Sequence, residues 1–334
     1  MRARARFVTY LLPALAVLLS PALAQTTAEL AFVSERDGNP EIYAVRADGS
    51  NLRRLTRNNA SDISPVYSPL GNYILFISDR DGDQDPYLML PNGRGQEAVI
   101  NSDGFEEQPG WSPDATHIIF VTDRSGDSEV NICATDGTGL RNLTNFPGWD
   151  TGPVWSPKGD RIAWIGDRDG NQDVLICAVD GSNVSAVASH EAWDGDPAFS
   201  PDGTRLAFRT HRDGNIGVYV YDLASGSLTN VSANEVWNEE PAWAPDSRRL
   251  AFGSSPAGNR EIIVADVETG AQTNITNSAS NDWAPQWSPD GSMIAFLSDR
   301  SGEARLYVAK ADGSQVHEVS AGPVRDAPAS WRPG

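Results

Sequence analysis

Residues 285–313 read PQWSPDGSMIAFLSDRSGEARLYVAKADG, and this stretch decides the fold. It opens on a proline and an aromatic, turns at Pro289-Asp290-Gly291, and runs through the apolar segment Ile294-Ala295-Phe296-Leu297. A second turn at Asp299-Arg300-Ser301-Gly302 leads to Leu306-Tyr307-Val308, and a third follows at Asp312-Gly313. Short apolar and aromatic runs bounded by Gly, Pro and Asp read as strands joined by tight turns.

Working outward, the stretch proves to be one copy of many. Its first proline recurs as Pro65, Pro109, Pro153, Pro197, Pro241, Pro285 and, one residue short of the step, Pro328. The aromatic of the second run recurs without slippage every 44 residues, as Phe32, Phe76, Phe120, Trp164, Phe208, Phe252 and Phe296. A period in this range marks a propeller or solenoid, in which each unit buries its apolar faces only against its neighbours. In the copy from Pro153 to Gly195 a further short strand is expected at Ser185–Ala188, giving four antiparallel strands per unit. The reading is an all-β, seven-bladed β-propeller spanning residues 25–334, with each inner strand expected to begin at its proline. The first unit, Ala28 to Thr56, lacks the proline-aromatic strand, and the chain ends on that missing piece, Pro328-Ala329-Ser330-Trp331. The C-terminal strand is therefore expected to pair with the N-terminal three and close the ring, which removes an open sheet edge.

Lys and Arg number 26 against 45 Asp and Glu, a net charge of −19. Nucleic acid is excluded as a partner on this balance, because phosphate recognition needs basic stripes. Arg2, Arg4 and Arg6 precede the apolar stretch Phe7–Leu19, and Ala22-Leu23-Ala24 offers a small-x-small cleavage site. Residues 1–24 are read as a secretory signal too short to span a membrane, with the mature chain exported, monomeric and not membrane-inserted. Cys133 and Cys177 hold the same position in adjacent units. Neighbouring sheets stack ~10 Å apart, beyond disulfide reach, so both read as small buried hydrophobes.

The unit P-x-W-S-P-D-G…I-A-F-x-S-D-R-x-G…I-Y-V-x-x-A-D-G resembles the TolB-type, WD40-like propeller repeat, and the resemblance covers about residues 28–334. It implies an exported bacterial propeller used for protein or peptide contacts in the cell envelope, with an envelope lipoprotein as one partner. The type member of that family joins its propeller to an N-terminal α/β domain and has six blades, where this sequence reads as seven.

Three residues before each proline stand Asp62, Glu106, Asp150, Asp194, Asn238, Asp282 and finally Arg325 or Asp326. Such residues either cap backbone N–H groups of their own turns or ring the channel mouth with carboxylates. As oxygen-only ligands a ring of Asp62, Glu106, Asp150, Asp194 and Asp282 would take Ca²⁺. One residue earlier the series is Ser61, Phe105, Trp149, Trp193, Trp237, Asn281 and Val324. Four aromatics in consecutive blades and small or polar residues elsewhere form either core or a one-sided binding surface, and Phe105, Trp149, Trp193 and Trp237 are the candidate ligand-binding residues.

The repeated arginine at Arg36, Arg80, Arg124, Arg168, Arg212 and Arg300 is expected to pair with a carboxylate of its own or an adjacent blade, and the sixth unit departs at Ser255-Pro256-Ala257-Gly258. The segments from Asp79 to Asp85 and Asp167 to Asp173 lack the EF-hand glycine and glutamate positions and read as hairpins. No G-x-S-x-G elbow occurs, and His117, His190, His211 and His317 hold different repeat positions. No catalytic residue is assigned. A binding module is therefore expected, against a metal-dependent channel enzyme acting on a carbohydrate or a structural propeller without ligand.

Overall fold

The structure is a computed structural model, describing residues 28–168, 170–232, 237–256, 258–325 and 328–334. The signal at residues 1–24 lies outside the described residues, as do Asp169, Ala257 and Asp326. Seven four-stranded antiparallel sheets form the blades of a β-propeller. Blade 1 holds Glu29–Ser34, Glu41–Arg46 and Arg53–Arg54, with the C-terminal Ser330–Trp331 as its inner strand. Leu30 pairs with Trp331 and Ala31 with Ser330, so the ring closes through the chain ends. The inner strands contact one another in sequence around the ring, and that of blade 1 touches those of blades 7 and 2.

Seven buried apolar clusters supply the cohesion, and each is shared by two neighbouring blades. Blades 7 and 1, for example, jointly bury Leu297, Val308, Phe32 and Tyr43, and blades 5 and 6 bury Val218, Val220, Phe252 and Ile263. The periodic aromatics Phe32 to Phe296 are all almost fully buried here, each contributing roughly 1.5–3 kcal/mol. A blade with no neighbour would expose one such face, which is why the missing inner strand of blade 1 has to be recovered from the C-terminus. Both cysteines are buried and free.

One expectation is corrected. The inner strands begin three residues before the proline, at the acidic residue itself: Asp62–Tyr67, Glu106–Trp111, Asp150–Trp155, Asp194–Phe199, Asn238–Trp243 and Asp282–Trp287. The pairing register then shifts just before each proline, between Ile63 and Val66 in blade 2 and likewise in the other five. The residue preceding the proline adopts a left-handed backbone: φ is 52° at Ser64, 51° at Gln108, 61° at Gly152, 51° at Asp196, 55° at Glu240 and 53° at Ala284. Proline has no N–H to give the ladder, and a bulge at this point lets the strand continue past it. The shift also turns the pre-proline side chains toward the next blade. Gln108 Oε1 accepts the Gly152 amide at 2.6 Å, and Glu240 Oε2 accepts the Ala284 amide at 2.6 Å.

Candidate functional site

The first residue of each inner strand pairs with the last of the second strand, as Asp62 with Ser78 and Asp194 with Thr210. The connections between blades and the hairpins joining second to third strands therefore emerge on one face, which carries all the residues singled out from the sequence.

Asp62, Glu106, Asp150, Asp194, Asn238 and Asp282 are fully buried at the start of their strands. Four of the carboxylates are held by the hairpin arginine of their own blade: Asp62 by Arg80 at 2.8 Å, Asp150 by Arg168 at 2.9 Å, Asp194 by Arg212 at 3.1 Å and Asp282 by Arg300 at 2.8 Å. Each pair spans the two strands that open the blade and pins the hairpin to the inner strand. In blade 4 Trp164 replaces the usual phenylalanine and its Nε1–H donates to Asp150 Oδ1 at 2.9 Å. Burial pushes Asp194 up to about 6 in spite of Arg212, and raises Asp282 as well. In blade 6 both partners change together: Pro256 stands at the arginine position, and Asn238 Nδ2 donates to the Ile216 carbonyl at 3.0 Å. Among the described residues no three His, Cys, Asp or Glu side chains converge on a point that could hold a metal ion.

Glu106 is arranged differently. It accepts from Ser102 at 3.0 Å and Thr122 at 2.7 Å, while Arg124 turns to Asn131 at 3.3 Å. Asp85, also fully buried, lies against Glu106. Burial, and then the neighbouring Glu106 carboxyl, push Asp85 up to about 7 despite the Ser102 amide.

The aromatic series lies one residue before these acids. Trp149 is 67% exposed, Phe105 59% and Trp237 50%, so these three rings face solvent rather than core. Phe146 adds another exposed ring beside Trp149, with the Arg168 guanidinium 4.3 Å above it. Trp193 is half-buried. Its indole donates to Gln172 and folds over Gly195, where a Cβ would come within 3.1 Å of the ring. The Arg209 guanidinium stacks on its other side at 4.4 Å.

Arg209 leads to a cluster that the sequence reading missed. It pairs with Asp196 at 2.8 Å and lies 3.9 Å from Glu239 across the boundary between blades 5 and 6. Glu239 also receives Arg260 at 3.2 Å and the Trp237 indole N–H at 2.7 Å. Next to it Glu240 sits on the bulge, and burial, with Glu239 and Asp196 close by, pushes it up to about 7. The signal was present in the repeat. The Arg209 position is Val33, Ile77, Val121, Ile165, Gly253 and Leu297 in the other blades, and the Arg260 position is Pro40, Gln84, Ser128, Gln172, Ile216 and Ala304. These two positions lie on the second strand and the hairpin, away from the proline.

The arrangement defines a ring-closed propeller with one face bearing a one-sided aromatic arc and, at one blade boundary, a polar cluster. The family model described as TolB beta propeller domain matches residues 14–98, 92–195 and 173–334, and the chain belongs to this family. A Tol-Pal system protein TolB of Geobacter sulfurreducens is 47% identical over 45 residues, which is 14% of this chain and 10% of that protein, so the match spans only a small part of the relative's length. Among solved structures, TolB from Acinetobacter baumannii superposes with a TM-score of 0.61 at 18% identity, over 92% of this chain and 82% of that one. An oligogalacturonate lyase in complex with manganese superposes at 0.67 with 16% identity, over 89% and 85%. At such identities the likeness is one of fold.

Proposed function

We propose that this propeller is an exported cell-envelope module that binds a protein or peptide partner through the arc Phe105, Trp149, Trp193 and Trp237. The observation that carries this reading is that large rings hold one repeat position in four consecutive blades, three of them exposed and Trp193 half-buried, with Ser61 and Asn281 at that position elsewhere. Exposed aromatics clustered in this way mark interaction surfaces, because each ring left in water forgoes the stabilisation it would gain on burial. Membership of a family that includes Tol-Pal system proteins supports the envelope setting and a protein partner. Residues 1–24 act in this account as the export leader, and the propeller occupies residues 25–334.

The module acts by binding rather than catalysis. Three of its four histidines are engaged locally and far apart in the sequence: His117 with Thr116, His190 with the Ala192 amide, and His317 with the Gln315 and Ala47 carbonyls. Affinity capture from bacterial envelope extract tests the reading. The wild-type chain should retain a specific partner, and a Trp149→Ala/Trp237→Ala variant with unchanged melting should lose it. Equal capture by both would remove the arc from the account.

A further inference from the structure

The departures from the repeat concentrate at the boundary of blades 5 and 6. Arg209 and Gly253 occupy a second-strand position that is aliphatic in the other five blades. In sheet register Arg209 pairs with Gly195, and Gly253 with Glu239. Blades 2 and 7 fill the same cross-strand place with Ile63–Ile77 and Trp283–Leu297. An apolar cross-strand pair has thus been exchanged for charge, and at Gly195 a Cβ would come within 3.1 Å of the Trp193 ring and 3.4 Å of Arg209 Nε.

The charges in that space do not balance. Among the described residues, the cations that face Asp196, Glu239 and Glu240 are Arg209 and Arg260. Arg209 and Arg260 are drawn to Asp196 and Glu239, whereas Glu240 accepts the Ala284 amide and, among the described residues, forms no ion pair. Glu239 is 8% exposed, and its Oε1, although 3.2 Å from Arg260 Nε, makes no directed hydrogen bond. A buried carboxylate oxygen without a donor carries a desolvation penalty that a positively charged ligand group would relieve. Trp237, 50% exposed, lies against Glu239 and offers a ring face of the kind that attracts cations, while the Trp193 ring is already taken by Arg209 at 4.4 Å. The chain as a whole, at −19, attracts positively charged partners.

We propose that this boundary is a recognition pocket for a basic side chain of the partner, its cationic head placed against Trp237 and paired with Glu239 and Glu240. The inference rests on the binding reading above and names the chemistry that the bound segment must bring. Arg209 and Arg260 then act as struts: each holds one carboxylate in place and leaves Glu240 as the unpaired charge. A cation there favours the ionised form of Glu240, so binding weakens as the pH falls through 7.

The test uses the full chain with ¹⁵N-labelled tryptophan and four defined probes. These are acetyl-Gly-Arg-Gly-amide, its citrulline counterpart, the lysine peptide and its Nε-acetylated form. The arginine or lysine peptide should shift the Trp237 indole signal saturably, and its neutral counterpart should bind about tenfold more weakly or less. The arginine and lysine arms decide between guanidinium and ammonium. Glu240→Gln, which keeps an acceptor for the Ala284 amide, should erase the preference for charge without lowering the melting temperature. The proposal is overturned if the charged and neutral peptides bind alike, or if no probe gives a saturable shift. A Glu240→Gln variant with an unaltered preference for charge would overturn it too. Envelope capture that depends on Trp149 would survive each of those results, so failure here and failure of the binding reading are distinguishable.

Discussion

The Trp331 indole Nε1–H donates to the carbonyl of Gln286 at 2.9 Å, 45 residues back and one blade away. Trp111 makes the same bond to Val66 at 3.0 Å, Trp243 to Ala198 at 3.0 Å and Trp287 to Ala242 at 3.1 Å. The seam that joins the chain ends is therefore fastened by the device that fastens ordinary blades. It carries extra bonds besides: the Tyr67 amide donates to Ser330 Oγ at 3.0 Å, and Arg332 to the Gly71 carbonyl at 2.9 Å.

Trp331→Ala should cost about 3–5 kcal/mol, the usual range for removing a buried tryptophan. Trp287→Ala should cost about as much, since both indoles are under 10% exposed and make equivalent bonds. Deleting residues 328–334 should cost more than either. Urea unfolding followed by tryptophan fluorescence checks all three, and a truncated chain that melts with the parent would refute closure.

Asp150→Ala should destabilise by ~3–5 kcal/mol, because it strands Arg168 and removes the acceptor of the Trp164 indole. By contrast, Trp149→Ala, one residue earlier and 67% exposed, should stay within about 0.5 kcal/mol of wild type. Adjacent positions with opposite outcomes would separate the structural ring of acids from the exposed arc. Matched losses in thermal melts would put Trp149 in the core.

Asp85 should cost progressively more stability as the pH rises from about 4 to about 7. Asp85, whose ordinary value is 3.8, is held near 7 in the folded chain. Below the unfolded value both states bind the proton and no penalty exists; above it the unfolded chain ionises while the folded carboxyl stays protonated. The penalty is complete once the pH exceeds 7. Asp85→Asn should therefore raise the urea midpoint at pH 8 and leave it nearly unchanged at pH 4. A variant whose midpoint tracks wild type from pH 4 to pH 8 would show that Asp85 and Glu106 share no proton.

The architecture was legible because a packing constraint repeats. Phe32, Phe76 and their counterparts must fill the same hole between blades, so the 44-residue step and the missing first strand could be read directly. The bulges were not, because a left-handed residue at Ser64 or Gln108 follows from strand pairing around a proline, not from local preference. That the arginines pair with carboxylates was readable from the repeat, but that the partner belongs to the same blade was settled only by strand pairing, which sets Arg80 beside Asp62. The boundary cluster escaped notice because Asp196, Arg209, Glu239 and Arg260 come from separate strands and a hairpin, brought together only by folding. Its trace was a lapse in the pattern, an arginine and a glycine where five blades carry aliphatic residues.

The central claim is that one side of one face meets the partner. Photo-crosslinking tests it most directly, with a photoreactive amino acid placed singly at Trp149, Trp237, Ser61 and Asn281, four positions equivalent in the repeat. Irradiation in envelope extract should yield partner adducts from positions 149 and 237 and none from 61 or 281. Adducts of equal strength all round the ring, or only from 61 and 281, would contradict the account.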